Sequence, residues 1–239
     1  MRVFLAGATG VIGRRLAVLL GDAGHEVAGT TRTPARIAML RELGIEPVVV
    51  DALDADALVQ AVDAARPDVV MHQLTDLPSA PGTSGYPAAQ QANHRLRVEA
   101  TRNLVQATKI AGARRVVAQS IAFVYAPGDG MRIETDPLDL AAESVRQLTV
   151  QGIVALEQEV LGTPGIDGVV LRYGYLYGPD TWYDAPPKPP SVHVDAAAHA
   201  AWLALSKGLG LYNIAEDDGA VSSAKARRDL GFDPAFRMR

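Results

Sequence analysis

Gly7-Ala8-Thr9-Gly10-Val11-Ile12-Gly13 follows directly on the apolar run Val3-Phe4-Leu5-Ala6 and leads into a helical pattern in which Ile12, Leu16, Leu19 and Leu20 recur on one face. A strand, a turn with three glycines and a helix, in that order, form a cradle for a pyrophosphate. Glycine tolerates positive φ and lets the backbone approach an anion held at the helix N-terminus. In this pattern Gly7 supplies the turn, Gly10 the close approach and Gly13 the tight packing of helix on strand. Gly21 and Gly24 then punctuate the chain before a second apolar run at 26–30, so the motif sits in a strand-helix-strand context. The alternative is a glycine turn that holds no ligand.

Further strands are expected at 2–6, 47–50, 69–72, 115–119, 168–172 and 211–214, with helical patterns between most of them, including 92–111 and 148–161. That rhythm predicts an α/β fold, a Rossmann-type doubly wound parallel sheet covered on both faces, with ligand at the carboxyl ends of its strands. The 239 residues fit a single domain, 1–239. A net charge of −4 with 21% charged residues predicts a soluble protein with no nucleic-acid partner. The absence of cysteine excludes disulfides and thiolate metal sites, and the five histidines show no metal-ligand spacing, so no metal is expected. No apolar stretch reaches membrane-spanning length and none reads as a signal segment, from which a cytoplasmic protein without membrane contact is expected.

The glycine loop, Asp51 after the third strand, Ala100-Thr101-Arg102-Asn103-Leu104, Val116 to Ser120 with Val124-Tyr125, Leu171-Arg172-Tyr173-Gly174-Tyr175-Leu176-Tyr177-Gly178-Pro179, and His193-Val194-Asp195 occur in a telling order. Together, to about Ile214, they resemble the extended short-chain dehydrogenase/reductases, in the epimerase and dehydratase branch. The resemblance implies a nicotinamide dinucleotide and a role for each matching residue. Gly7, Thr9, Gly10, Val11 and Ile12 would hold the pyrophosphate, and Asp51 and Leu53 would flank the adenine. Gln73 and Leu74 would lie along the ribose and nicotinamide, with Ser120 and Tyr173 near the nicotinamide ring. From the residues alone, Asp51 reads equally as the N-cap of a helix around 55–64, and Gln73 and Tyr173 as packing residues.

Charge argues which dinucleotide is bound. Members that prefer NAD end the second strand in an acidic residue that accepts from the ribose hydroxyls. Here Thr31 stands at that position, Arg32 follows it, and Arg36 lies one helical turn on. Guanidinium groups suit a 2′-phosphate, so NADPH is expected. The other reading makes Arg32 and Arg36 solvated residues at a helix entry.

The departures from the family's pattern matter as much. Its members use a tyrosine as acid and a lysine four residues on. The four lysines here, Lys109, Lys188, Lys207 and Lys225, follow Val105, Asp184, Leu203 and Val221 at that spacing. Registered on Ala155-Leu156-Glu157, the pair falls on Thr149 and Ile153, and the usual hydroxyl residue falls on Ile121, leaving Ser120 one position earlier as the catalytic candidate. A proton must then come from water, from a hydroxyl such as Ser120 or Thr149, or from an acidic group on the substrate, for example a phenol beside the carbonyl. Only 180–192 separates Gly178-Pro179 from His193, which predicts a much reduced substrate lobe. The loops near 77–90 and 180–192 carry prolines, and Trp182 and Tyr183 either lie over a flat ligand or pack on the body.

The short loops suit a large planar aromatic substrate, and a member so reduced and without the Tyr/Lys pair resembles ketoreductases of angucyclinone-type polyketides, which implies an NADPH-dependent ketoreductase acting on a large aromatic polyketide in antibiotic biosynthesis. Rival readings are an NADP-binding sensor without catalysis, and epimerase or dehydratase chemistry in the same fold. The oligomeric state stays open. The helices that pair in dimers of this family carry Arg95, Arg97, Glu99, Arg102, Glu157 and Glu159 here.

Overall fold

In the computed structural model, which describes residues 1–78 and 85–238, β1 (Arg2–Ala6) lies in the interior of the sheet, third of seven strands from one edge. Both of its faces are covered, which is why it reads as an unbroken apolar run. Val3 and Leu5 enter one core with Ile12, Leu16 and Leu20 of α1 (Val11–Asp22). Phe4 and Ala6 enter the other with Leu58 and Val62 of α3 (Ala55–Ala65) and Leu104 of α5 (Thr101–Ile110). The remaining strands of the main sheet are β2 (Glu26–Thr31), β3 (Glu46–Val49), β4 (Val69–His72), β5 (Arg115–Ile121), β6 (Asp167–Tyr173) and β9 (Gly210–Ile214).

All seven strands run parallel, in the order β3-β2-β1-β4-β5-β6-β9. The order reverses between β1 and β4, which opens a crevice at their carboxyl ends. α2 (Ile37–Glu42) precedes β3, and α6 (Ser144–Gly162) packs Leu156 and Val160 on Val116 and Val170 of the sheet. Alanines 196, 197, 198, 200 and 201 make α7 (Val194–Leu203) a flat buried helix that packs closely against α1. α8 (Ala224–Leu230) follows β9.

The expected strands are present with ends moved by one or two residues. Two features differ from the sequence reading. The helix expected over 92–111 begins at Tyr86 as α4 (Tyr86–Arg95), passes through a π-helical turn (Leu96–Ala100) and continues as α5. The segment after β6 forms a second, two-stranded parallel sheet of β7 (Tyr175–Tyr177) and β8 (Ser191–His193). No helix of the described residues is long and apolar enough to cross a membrane.

Candidate active site

The crevice between β1 and β4 widens into a cleft of about 660 Å³ lined by both halves of the sheet. At its entrance Gly7 has φ +89°, and a Cβ there would stand 2.5 Å from the Gln73 carbonyl oxygen. A Cβ on Gly13 would collide with the Gly7 carbonyl, so the first and third requirements of the cradle are met by backbone touching backbone. Gly10 is the N-cap of α1, in extended conformation and with no side-chain cap. The first-turn N–H groups of α1 are therefore left for an external acceptor.

Of the residues expected on the cofactor side, Gly7, Thr9, Gly10, Val11, Arg32, Arg36, Asp51, Gln73, Leu74 and Tyr173 all line this cleft, as does Ser120. Ile12 is buried in the core beside α1, and Leu53 packs on the opposite core; neither side chain lines the cleft. Thr31 and Thr33 close a turn at the end of β2, the Thr31 hydroxyl accepting from the Thr33 N–H at 3.1 Å. Beyond it Arg36 donates to the Thr9 hydroxyl at 3.1 Å, and Arg32 pairs with half-exposed Asp76 at 3.2 Å. Asp51 accepts from the Leu53 N–H at 3.0 Å, while the N-cap of α3 is Asp54, which accepts from the Ala57 N–H. Asp51 is thus free of the capping duty that the sequence left open.

The other end of the cleft is polar but holds no strong acid. Gln73 is buried, and neither its Oε1 nor its Nε2 has a partner among the described residues; the same holds for the Tyr173 hydroxyl beside it. Burial pushes the Tyr173 phenol well up, so it stays protonated and acts as a hydrogen-bond donor. Ser120 is buried and donates to Glu157 Oε1 at 2.8 Å. Glu157 is in turn held by Arg172 through a two-pronged contact at 2.8 and 2.6 Å. With its proton directed at Glu157, Ser120 turns acceptor lone pairs toward the cleft. Thr149 lines the cleft and donates to Gln90 Oε1 at 3.1 Å, whereas Ile153 is fully buried in a small core with Val124 and Val150.

Two helix charges that the sequence placed on a candidate dimer face point inward. Glu157 is the buried partner of Arg172, and Arg97 lines the cleft from the π-helical turn. Below that turn His72 is fully buried, its Nε2 against the Thr101 hydroxyl at 3.0 Å and its Nδ1 accepting from the Leu74 N–H. Burial, with Arg97 nearby, lowers its pKa to about 4, so it is neutral at pH 7.

Across the mouth, Trp182 donates from its indole nitrogen to the Pro78 carbonyl at 3.0 Å, joining the two loops expected to cover the ligand. Trp182 and Tyr183 are half-buried and line the cleft. Of the loop near 77–90, residues 79–84 lie outside the described residues.

The NAD dependent epimerase/dehydratase family matches residues 3–196. The chain belongs to that family. Within it, a Streptomyces protein named 3-diazoavenalumate denitrifying reductase is 40% identical over 245 residues, spanning 93% of this chain and 78% of that protein. Among solved structures, MoeE5 in complex with UDP-glucuronic acid and NAD superposes with a TM-score of 0.78 at 20% identity, over 99% of this chain and 95% of that one. The UDP-glucose 4-epimerase of Thermotoga maritima gives 0.79 at 15% identity, over 99% and 94%. At those identities the structures speak for the fold.

The residues present fit the family's dinucleotide. The glycine cradle has no room for a side chain, the N-terminus of α1 is open, and the orphaned Gln73 amide faces the cleft where the reactive ring would lie.

Proposed function

We propose that the chain is an NADPH-dependent reductase of an aromatic natural product: a ketoreductase acting on a carbonyl of an angucyclinone-type polyketide, as in simocyclinone-type biosynthesis. The observation that carries the proposal is the contrast between the two ends of the cleft. One end keeps the cradle and adds Arg32 and Arg36; the other has Thr149 and Ile153 where the family's tyrosine and lysine would stand.

Gly7, Gly10 and the open N-terminus of α1 hold the pyrophosphate, and Asp51 receives the adenine side. Arg32 and Arg36 take the 2′-phosphate, which favours NADPH over NADH. Gln73 and Tyr173 supply the unpaired amide and hydroxyl that fix the nicotinamide end. When bound, the reduced nicotinamide supplies a hydride, which with a proton turns a carbonyl into an alcohol. Ser120 presents an acceptor and so fits a further hydroxyl of the substrate. A phenol O–H beside the carbonyl, hydrogen-bonded to the carbonyl oxygen itself, delivers the proton. Trp182 and Tyr183 cover a flat ring system and limit water.

A second reading rests on the 40% identical Streptomyces reductase, whose name describes removal of a diazo nitrogen. A hydride added to an aryl diazonium ion releases N2 and leaves a C–H bond, with no proton consumed. A cleft without an acid suits that balance equally.

The test is oxidation of NADPH, with NADH in parallel, on polycyclic aromatic ketones with a free or methylated phenol beside the carbonyl, and on an aryl diazonium salt. Turnover confined to the free phenols supports the ketoreductase. Turnover confined to the diazonium, with release of N2, moves the assignment to the second reading. Tight NADPH binding with no turnover on any of them would sink both and favour a sensor.

A further inference from the structure

Arg97 leaves the π-helical turn with its stem laid across α6 and its guanidinium at the cleft. Gly152 makes the passage: a Cβ there would stand 3.2 Å from Arg97 Cδ and 3.3 Å from its Cβ. Gly152 is one turn on from Thr149 and next to Ile153, so Arg97 arrives beside the place from which the family's acid and its lysine are missing. Its Nη1 is buried with no partner among the described residues. Burial lowers its pKa to about 10, with Tyr86 pulling the other way. The guanidinium therefore remains charged at neutral pH. A guanidinium desolvated at Nη1, with no counter-ion among the described residues, carries an uncompensated desolvation cost. The other buried arginine of the site, Arg172, has that cost offset by Glu157.

We propose that Arg97 is the substrate-anion site of this cleft: its guanidinium receives a carboxylate oxygen of a planar aromatic substrate, or a phenolate oxygen remote from the reacting carbonyl, which supplies the counter-ion on binding. The inference rests on the reductase reading for its location in a substrate pocket. The cofactor's phosphates are not the occupant, because they are met by the α1 N-terminus, Arg32 and Arg36 on the β1–β2 side, whereas Arg97 stands over α6 near Leu96, Gln90 and Thr149. Bound there, the anion also sets the register of the ring. Arg97 is a positioning residue for the hydride-accepting atom.

Calorimetric titration of the protein saturated with NADP+ tests this with defined probes. These are 1-hydroxy-2-naphthoate against its neutral amide, and 2,4-dinitro-1-naphtholate against its methyl ether. The wild type is expected to bind at least one anion about tenfold more tightly than its neutral counterpart, as one charge-assisted contact would give. The carboxylate and naphtholate arms tell which acid the site takes. Arg97→Gln is expected to erase the preference and Arg97→Lys to keep part of it, with NADPH affinity unchanged in both. Equal binding of anion and neutral probe by the wild type, or a preference that survives Arg97→Gln, would overturn the proposal. So would a loss of NADPH affinity in Arg97→Gln, which would assign the guanidinium to the cofactor. If Arg97→Gln does not fold, the wild-type probe pairs and Arg97→Lys decide alone. Anion binding without turnover on any ketone or diazonium would remove the reductase reading and leave this site standing.

Discussion

At the scale of single residues, the cradle depends on atoms that are absent. Replacing Gly7 by alanine places a Cβ 2.5 Å from a backbone oxygen at φ +89°. Such a residue is strained by about 1–3 kcal/mol, and the carbonyl it meets belongs to Gln73 at the heart of the cleft. Gly7→Ala is expected to weaken NADPH binding at least tenfold, measured by fluorescence titration, and to lower the melting temperature. On the proposed reading Arg32 carries the discrimination between dinucleotides. Arg32→Glu is expected to raise the Kd for NADPH by roughly tenfold or more and to leave that for NADH nearly unchanged, because only the 2′-phosphate loses a charge-assisted contact. An equal effect on both cofactors would return Arg32 to its surface pair with Asp76. The glycine turn was legible in the sequence because that spacing after a strand has one dominant use, and the structure puts Arg32 at the cleft as its place after the strand suggested. Arg97 was not legible as a site residue. On a helix with Arg95, Glu99 and Arg102 it reads as one more solvated charge, and only the π-helical turn and Gly152 turn it inward.

At the scale of elements, β4, the π-helical turn and α5 are joined through His72 and Thr101. His72 is neutral in the folded state, with a pKa near 4 against an ordinary 6.5. Below pH 6.5 the unfolded chain takes up a proton that the folded chain refuses, so stability falls as pH drops from 6.5 toward 4 and is unaffected by this group above 6.5. The full depression corresponds to roughly 3 kcal/mol. Denaturant unfolding between pH 7 and pH 4 is expected to show a decline that His72→Gln makes shallower. The strand β6 and helix α6 are joined by Arg172 and Glu157. Arg172→Met leaves a buried carboxylate unpaired and is expected to cost about 3–5 kcal/mol in unfolding free energy. Most strands were legible because strands buried on both faces read as apolar runs. The β7–β8 sheet was not, since Tyr175–Tyr177 is separated from β6 by Gly174 alone and its partner is only three residues long. The start of α4 at Tyr86 was hidden by the prolines and glycines around it.

At the scale of the molecule, a doubly wound sheet places its ligand at the reversal of strand order; the loop after β4 leaves from that point, and Trp182, between β7 and β8, reaches it through Pro78. Pattern alone carried the fold from sequence to structure, and most of the residues expected to hold a cofactor line the cleft that this fold opens. The reacting end was harder to read, because it depends on which way Ser120, Gln73 and Arg97 point. The direction of Ser120 is set by a partner distant in sequence, Glu157, and the passage of Arg97 by Gly152. The central claim is that this scaffold delivers a hydride from NADPH to an aromatic ketone without an acid of its own. Single turnover with 4-deuterated NADPH, on an angucyclinone-type ketone and on the same ketone with its neighbouring phenol methylated, tests it most directly. The account predicts deuterium on the carbinol carbon of the free-phenol substrate and a rate at least about tenfold lower for the methyl ether, the scale of one lost proton donor. Equal rates for the two, or product without deuterium, would contradict it.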